Sequence, residues 1–550
     1  MSGALLQLAA LGSQDVYLTG NPEITLFKSS YQRHTHFSLE TIQVSFDGDD
    51  LEFGDDKIST ATIDQSGDLI SKMVLVIKLG ECTDPDIEWG YVNKLAHALI
   101  NNISINIGQI EIDTHNNQWI NIYHDLFGNL SHEKNYFKMI GNTVEMKELN
   151  KNHGNYELYI PLEFWTSKAS SSAFPVICLN KQEFQIKVTL NNIKDCINYK
   201  GNLAPSNLPT IESAYFLVDY IFLDTPERNL FLERDHEYLI EQVQEMSDIV
   251  STQNNKLSLI FDKPCKYILW TANLDRYRNR NEYLVWATDD NWDKALENFA
   301  KLVWLSTRTN LNVNDINNPI IDLDDTFINI GESIPMISGG LPTLEKYANK
   351  VKAVFLFAEE NNVTNTFQIK ASVDNIVIIE NTLTFEDISR TITELKEGLN
   401  TFNNNQLDQA TFLDINKVSI IDTFNYGNFI NRKDNPIIST RLQFNGKDKF
   451  QERDGNFFNY LNPFYYFNNT PPDGLNAYSF GLNPSDIQPS GTVNFSAINN
   501  KELTLSLGIN NKTEPNYINN HFKAGLINIY AVNYTMLKVS TSKDVVGLSF

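Results

Sequence analysis

Hydrophobic residues fall in short runs along this chain, bounded by Asn, Asp, Gly and Pro, rather than in long amphipathic stripes. Alternation of apolar and polar residues marks a half-buried strand, because successive side chains of a strand point to opposite faces. In the first half the pattern predicts strands at residues 38–46, 69–79, 103–113, 156–162, 184–190 and 214–223. In the second half it predicts strands at residues 256–261, 265–272, 352–358, 367–379, 440–444, 503–507 and 526–539. We therefore expect a mainly β protein.

Three features interrupt the strand pattern. Gly108 and Gln109 shift the alternation within residues 103–113, as a β-bulge would. Apolar side chains spaced three and four residues apart predict one helix over residues 119–130. The charged segment at residues 225–245 follows a strand break and predicts a helical linker.

The length of the chain and a short internal repeat predict two domains. The chain has 550 residues, whereas single hydrophobic cores stop growing near about 250–300 residues. Residues 218–223 and 532–537 both read Val-x-Tyr-x-x-Leu, and each lies where the last strand of a domain would be. Chance similarity between two strands is the alternative explanation. Loops of very unequal length between the strands are typical of a Greek-key β-sandwich.

The acidic composition argues against nucleic acid as a binding partner. The formal net charge is -24, whereas proteins that bind phosphate backbones displace counterions with Lys and Arg. We therefore expect no direct nucleic acid binding. Neither a secretory signal nor a membrane-spanning segment is predicted, because no basic segment precedes the apolar residues 4–11 and no apolar run reaches about 20 residues. The scattered cysteines are expected to be reduced core residues: Cys82, Cys178, Cys196 and Cys265.

Sequence motifs of the common enzymes do not occur. The chain contains no Gly-x-Gly-x-x-Gly, no Gly-Lys-Ser/Thr loop, no Gly-x-Ser-x-Gly and no His-Glu-x-x-His. Carboxylate pairs for glycoside hydrolysis stay open, because only the separation of two carboxylates in space would identify such a pair. We predict that the protein is not an enzyme, and we assign no catalytic, cofactor-binding or metal-binding residue.

Two groups of residues have partial patterns of a metal site. His34 and His36 would lie on the same face of an extended strand, but zinc needs three or four ligands. The acidic clusters at residues 47–56 and 322–325 are candidates for calcium loops. The first departs from an EF-hand, because its sixth position is Glu52 and its twelfth is Ile58. We expect the histidines to be structural or solvated and the acids to be solvated turn residues.

A dense aromatic segment occupies residues 457–467, with the sequence FFNYLNPFYYF. Such a segment is typical of a platform that stacks sugars or bases. It is equally typical of a subunit interface, where aromatic anchors are enriched, or of a core strand followed by a turn. We favour a core or interface role for it.

Motifs at both ends of the chain resemble those of one virus family. The amino-terminal region reads GSQDVYLTGNPEITLFK at residues 12–28 and YQRHTHF at residues 31–37. The carboxyl-terminal region contains YSF, QPSGTVNFS and YAVNY, beginning at Tyr478, Gln488 and Tyr530, and a closing Gly-Leu. Together these motifs resemble the major capsid proteins of nucleocytoplasmic large DNA viruses.

That resemblance implies an all-β fold of two consecutive eight-stranded antiparallel jelly-roll sandwiches, with long loop insertions and a few short helices. It divides the chain into an amino-terminal arm at residues 1–27, a first jelly roll at 28–224, the linker at 225–245 and a second jelly roll at 246–550. It also implies a homotrimer of pseudo-hexagonal outline that tiles an icosahedral shell. The partners would be neighbouring capsomers, minor capsid proteins and penton proteins, and the arm would face the inner viral membrane. The protein would be assembled in the host cytoplasm and reside in the virion.

Two other functions fit the same residues. Abundant carboxylates and aromatic residues are also found in carbohydrate-binding or carbohydrate-active β-sandwich proteins, which would act as monomers. A minor capsid or spike protein on the same fold would differ chiefly in its copy number in the virion. Sedimentation, glycan binding and virion composition would separate these classes.

Overall fold

Antiparallel sheets dominate the computed structural model of the chain. The structure describes residues 2–48, 51–87, 89–147, 150–199, 205–250, 254–274, 435–507, 525–540 and 545–549, the single positions 252, 284 and 286, and three strands at Ala358–Asn361, Thr366–Val373 and Ile376–Thr384. Sixteen of the described strands form two sets of eight, and most helices lie in the connections between them.

The first set of strands builds one sandwich. Its members are β1 (Phe37–Ser45), β2 (Gly54–Ile63), β3 (Leu69–Leu79), β4 (Ile100–Ile107), β5 (Ile110–Asn116), β6 (Tyr156–Pro161), β7 (Phe184–Leu190) and β8 (Ile211–Leu223). The two sheets have the strand orders β1-β8-β3-β6 and β2-β7-β4-β5. All neighbours within them are antiparallel. Because each sheet combines strands from both ends of the segment, the sandwich is a jelly roll.

The second set repeats this order. Its members are β9 (His236–Val250), β10 (Asn254–Ser258), β11 (Pro264–Leu274), β12 (Ile437–Phe444), β13 (Lys447–Asp454), β14 (Leu475–Ser479), β15 (Lys501–Leu507) and β16 (Gly525–Ser540). The sheets have the orders β9-β16-β11-β14 and β10-β15-β12-β13. Every strand therefore occupies the place of the strand eight numbers before it. The prediction of two consecutive jelly rolls is confirmed.

Short elements decorate the two sandwiches. The α-helices are Gly3–Ala9, Val16–Thr19, Leu95–Leu99, Asn117–Phe127, Glu133–Met139, Val144–Lys147, Trp165–Lys168, Thr225–Glu233 and Asn462–Tyr466. A π-helix covers Phe457–Leu461, and 3-10 turns cover Leu130–His132, Ser170–Ser172, Val176–Cys178, Ile193–Cys196 and Phe495–Ala497. The remaining strands are Cys82–Thr83, Trp89–Tyr91, Asn152–His153, Ile197–Tyr199, Val493–Asn494 and Val545–Ser549. Among the described residues, no helix is long and apolar enough to cross a membrane.

Each sandwich encloses its own hydrophobic core. Leu75, Ile105 and Ile186 are fully buried between the sheets of the first sandwich. Leu442 and Leu503 are fully buried in the second. The four cysteines are buried and form no disulfide, in agreement with the expected reduced core residues. The period-two alternation that predicts the strands thus marks the side chains that fill the two cores.

The interruption at Gly108 is a turn and not a bulge. Strands β4 and β5 pair antiparallel with each other, and Ile107 lies opposite Ile110. Gly108 has a φ of +60°, a conformation that glycine adopts without steric cost. A bulge and a tight turn both break the alternation of apolar residues, but only the turn reverses the chain.

The predicted helical linker is helical only in its first part. A helix covers Thr225–Glu233, after which β9 begins at His236. The charged residues that suggested a helix lie on an edge strand, where only one side of the backbone is paired and charged side chains are common. The alternation of exposed Leu239 with buried Ile240 shows the strand period.

Several other strand predictions need correction. The sequence pattern does not predict strands β2, β13 and β14. The single strand predicted at 367–379 is instead part of a hairpin of two strands, Thr366–Val373 and Ile376–Thr384. The polar strands β2 and β13 are edges of their sheets, so they carry little apolar signal. The predicted strand at 352–358 lies outside the described residues, apart from its last position. The helix predicted at 119–130 is present as Asn117–Phe127.

Candidate assembly surfaces

The residues considered for metal binding are dispersed. His34 and His36 are exposed and precede β1, so they do not share a strand face, and the His34 Nδ1 contacts the backbone carbonyl of Thr35 at 2.7 Å. Among the acids, Asp47 accepts a 2.6 Å hydrogen bond from Thr62 Oγ1. Glu52 pairs with Lys57, whereas the remaining acids of that cluster and the whole cluster at 322–325 lie outside the described side chains. In the described part of the chain, no group of three or more His, Cys, Asp or Glu residues is placed to hold a metal ion.

The aromatic segment at 457–467 forms helical turns and not a strand. Phe458 and Phe467 point into the protein, where they are 0% and 7% exposed. Phe464 and Tyr465 lie on the surface and are 72% and 69% exposed. The segment therefore contributes both core packing and an exposed aromatic pair. Pro463 lies at the start of its α-helix, a position that tolerates a residue without a backbone N–H.

An aromatic cluster joins the two sandwiches. The helix Asn117–Phe127 follows β5 and buries Trp119 against Tyr530 of β16, with ring centroids 5.6 Å apart. At its end Phe127 packs against Tyr267 of β11 at 5.8 Å. The cluster has its own apolar core, which is distinct from the cores within the sandwiches. Burial of large aromatic rings on this scale holds the two sandwiches together.

Polar contacts fix the register of the same junction. The edge strand β9 lies beside the edge strand β5, and the Gln242 side-chain amide donates to the backbone carbonyl of Ile112. The backbone N–H of Val243 donates to Asp113 Oδ1 at 3.0 Å. Asn116 donates to Glu245 Oε2 at 2.6 Å. We call this contact of β5 with β9, together with the aromatic cluster, the internal junction.

A buried ion network lies at the internal junction. Lys266 of β11 is 1% exposed, and its Nζ lies 2.5 Å from Glu241 Oε1. Lys168, from the helix that follows β6, pairs with the other oxygen of Glu241. Burial by itself would raise the pKa of Glu241, but the two ammonium groups outweigh burial and hold that pKa below its ordinary value. One ionised carboxylate therefore links both sandwiches through two lysines.

The His115 and Asp113 pair resembles part of a catalytic arrangement, but its surroundings are structural. His115 Nε2 lies 3.0 Å from Asp113 Oδ2, and both side chains are almost completely buried. The His115 ring stacks on Phe164 with centroids 4.1 Å apart. Asp113 also accepts the backbone N–H of Val243. These contacts use the pair to hold β5 against β9 and leave it without access to a substrate.

The amino-terminal arm, together with the residues that follow it up to β1, presents a large apolar surface. All described residues from 2 to 36 are exposed, except Asp15, which is intermediate. The exposed large apolar side chains are Leu5, Leu6, Leu8, Leu11, Val16, Tyr17, Leu18, Ile24, Leu26, Phe27 and Tyr31. An exposed apolar surface of this extent marks a site of contact with another molecule.

Sequence patterns carry little information about the internal junction. Its charged members are far apart in the chain, since Lys168 and Glu241 are 73 positions apart. None of them belongs to a recognisable motif. A buried lysine within an apolar strand, Lys266 between Cys265 and Tyr267, is the one local signal of the network.

Comparison with known families covers nearly the whole chain. Residues 25–224 match the family described as the major capsid protein N-terminus. Residues 227–543 match the family described as the large eukaryotic DNA virus major capsid protein. The boundary between the two matches falls within the helix Thr225–Glu233.

Individual relatives agree with these matches. The chain is 30% identical to the major capsid protein of Phaeocystis pouchetii virus, and the alignment covers 100% of both chains. It is 30% identical to capsid protein 1 of Acanthamoeba polyphaga mimivirus over 98% of each. Among solved structures, VP54 of PBCV-1 superposes with a TM-score of 0.61 at 24% identity, covering 96% of this chain and 100% of that one. The Faustovirus major capsid protein superposes with a TM-score of 0.61 at 10% identity, covering 98% and 96%.

Proposed function

The chain belongs to the major capsid proteins of large eukaryotic DNA viruses, and we propose that three copies of it form a pseudo-hexagonal capsomer that tiles an icosahedral shell. The observation that carries this proposal is the repeated strand order of the two sandwiches. Two similar blocks in each of three chains give six blocks around one axis. A threefold oligomer can then fill a position that has six neighbours.

The function in this proposal is mechanical and not catalytic. The internal junction fixes the angle between the two sandwiches through buried aromatic rings and the ion network of Glu241. A capsomer needs a rigid angle between its sandwiches, because a change in that angle would displace the neighbouring capsomers in the shell. Neighbouring capsomers would contact the outer faces of the trimer.

The arm would provide the contacts on the inner side of the shell. Its apolar side chains are exposed in the single chain, and burial of that surface against other molecules would stabilise an assembly. In this proposal the arm meets minor capsid and penton proteins, toward the viral membrane. Assembly would take place in the host cytoplasm, before the protein becomes part of the virion.

The decisive experiment is the oligomeric state of the purified full-length chain. Analytical ultracentrifugation at micromolar concentration should give a trimer, and negative-stain electron microscopy should show hexagonal blocks. A stable monomer under these conditions would refute the capsomer. Specific glycan binding by that monomer would instead favour a carbohydrate-binding protein.

A further inference from the structure

The internal junction has a counterpart on the surface of the same chain. Because the strand order repeats, the strand equivalent to β9 is β1. Each is the first strand of its sandwich and pairs with the last strand of that sandwich. In the proposed trimer, on which this inference rests, the six sandwiches follow each other around the axis. Each β9 meets a sandwich of its own chain, so each β1 must meet a sandwich of the next chain.

The repeated motif fixes which residues correspond. Val218 of β8 and Val532 of β16 open the two Val-x-Tyr-x-x-Leu segments, and both strands lie at the same place in their sheets. Val218 is paired with Ile42 and Val532 is paired with Val243. Two positions further along the same ladders, the tyrosines of the two motifs pair with acids. Tyr220 lies opposite Glu40, and Tyr534 lies opposite Glu241.

The lysine of the ion network is repeated as well. The two motif valines lie opposite Met73 in β3 and Tyr267 in β11. The residues that precede these two are Lys72 and Lys266. Both ladders have a register irregularity at this point. Glu40 and Lys72 are therefore the equivalents of Glu241 and Lys266.

The equivalent residues have opposite environments. Ile240, beside Glu241, is 1% exposed because it packs into the apolar cluster of the first sandwich. Its equivalent Leu39 is 62% exposed. Glu40 and Lys72 are also exposed, and within the described residues the Glu40 carboxylate has no ion pair. Without the first sandwich to cover them, Ile240 and Glu241 of β9 would likewise be a surface apolar residue next to an acid.

We propose that the strip Leu39–Ile42 of β1, with Lys72, is the binding surface for the second sandwich of a neighbouring copy of this chain. In the internal junction the opposing edge is β5, whose equivalent is β13. β13 carries exposed residues of both signs, the basic Lys447, Lys449 and Arg453 and the acidic Asp448, Glu452 and Asp454. Leu39 packs against the neighbour's second sandwich, and Glu40 pairs with one of the basic residues of β13.

Two substitutions test this surface in the full-length protein. Leu39→Asp removes the apolar contact, and Glu40→Lys removes the carboxylate that pairs with a basic residue of the neighbour and puts a cation in its place. Both side chains are exposed, so the folded chain should retain its circular dichroism spectrum. Each substitution should raise the dissociation constant of the trimer by at least about tenfold, measured by sedimentation over a concentration series. Glu81→Lys makes the same charge change at an exposed glutamate outside the strip and should leave the trimer unchanged.

Hydrogen exchange supplies a second readout. Backbone amides of β1 should exchange more slowly in the wild-type trimer than in the Leu39→Asp variant, whereas those of β9 should be protected in both. If the wild type is a trimer and both variants associate as tightly as Glu81→Lys, the strip is not the interface. The proposed trimeric capsomer is then retained. If the wild type is a monomer, the capsomer itself is wrong, and the interface fails with it.

Discussion

Strands β1 and β9 occupy the same place in the two sandwiches, but their surroundings differ. Each is an edge strand paired to the last strand of its own sandwich. The first sandwich covers β9, and Ile240 is 1% exposed; among the residues that the structure describes, none covers Leu39 of β1 to the same degree, and Leu39 is 62% exposed. The pairing of the backbone does not explain this difference. Within one chain, β9 therefore contacts another sandwich, whereas the equivalent surface of β1 is exposed.

The connections differ more than the strands. The segment between β3 and β4 covers residues 80–99, whereas the segment between β11 and β12 covers residues 275–436. Strands are constrained by the core on their inner face, and loops are not, so insertions accumulate in loops. The geometry that the two sandwiches share therefore lies in their strands and not in the connections.

The largest effect is expected when the internal junction loses its acid. Glu241→Gln keeps the shape of the side chain but leaves the ammonium groups of Lys168 and Lys266 without a counter-charge. Breaking a buried ion pair by removing one partner costs about 3–5 kcal/mol. The thermal unfolding temperature measured by calorimetry should fall by several degrees. The control Glu81→Gln, at an exposed position, should leave it unchanged.

The same carboxylate gives stability a defined dependence on pH. Its pKa is held below the ordinary value in the folded protein, because the two lysines outweigh the effect of burial. A group of this kind stabilises the fold above its ordinary pKa, and the contribution is lost as the pH falls through the folded value. Below about pH 4 the wild type should therefore lose stability faster than Glu241→Gln. Parallel pH profiles for the two proteins would contradict this role of Glu241.

An intermediate effect is expected from a clamp that belongs to the first sandwich. The Asp84 carboxylate accepts the backbone N–H groups of Asp86 at 3.0 Å and Ile87 at 2.9 Å, and also the backbone N–H groups of Ser206 at 2.8 Å and Asn207 at 3.2 Å. These hydrogen bonds, first those of Asp86 and Ile87, hold the pKa of Asp84 well below its usual range. The clamp joins the connection after β3 to the connection before β8.

Asp84→Asn should lower the unfolding temperature of the first sandwich, because an amide presents one acceptor oxygen where the carboxylate presents two. The loss should be smaller than for Glu241→Gln, since backbone donors that lose the carboxylate can turn to water near the surface. Limited proteolysis within residues 80–99 should become faster. Asp86→Asn is the matched control, because the Asp86 side chain is exposed. Equal proteolysis of both variants would exclude the clamp.

The sequence predicted those strands whose inner faces are continuously apolar. The ranges 69–79 and 184–190 match β3 and β7, whose buried positions alternate or run together along the whole strand. It missed β2 and β13, because an edge strand with few buried residues has no alternation to detect. The turn at Gly108 has the sequence pattern of a bulge, because the spacing of apolar residues does not report whether the chain reverses.

The sequence predicts less about the candidate assembly surfaces than about the fold. The resemblance to capsid proteins predicted the family and the two jelly rolls, and both are confirmed. The internal junction depends on contacts between residues far apart in the chain, such as Trp119 with Tyr530. The correspondence of Glu40 with Glu241 became visible only from the strand register, because their sequence neighbours differ.

The smallest effect is expected at the exposed aromatic pair of the second sandwich. The helix Asn117–Phe127 of the first sandwich buries Trp119, which is 2% exposed, whereas the equivalent connection leaves Phe464 72% exposed. Phe464→Ser should change the free energy of unfolding by no more than about 0.5 kcal/mol, as is usual for surface positions. Trp119→Ala, the matched change at the buried position, should cost about 3–5 kcal/mol. Chemical denaturation of both variants beside the wild type measures the difference. A large loss for Phe464→Ser would mean that the two connections stabilise the chain alike, whereas a small loss would show that this exposed aromatic residue does not stabilise the fold of the second sandwich.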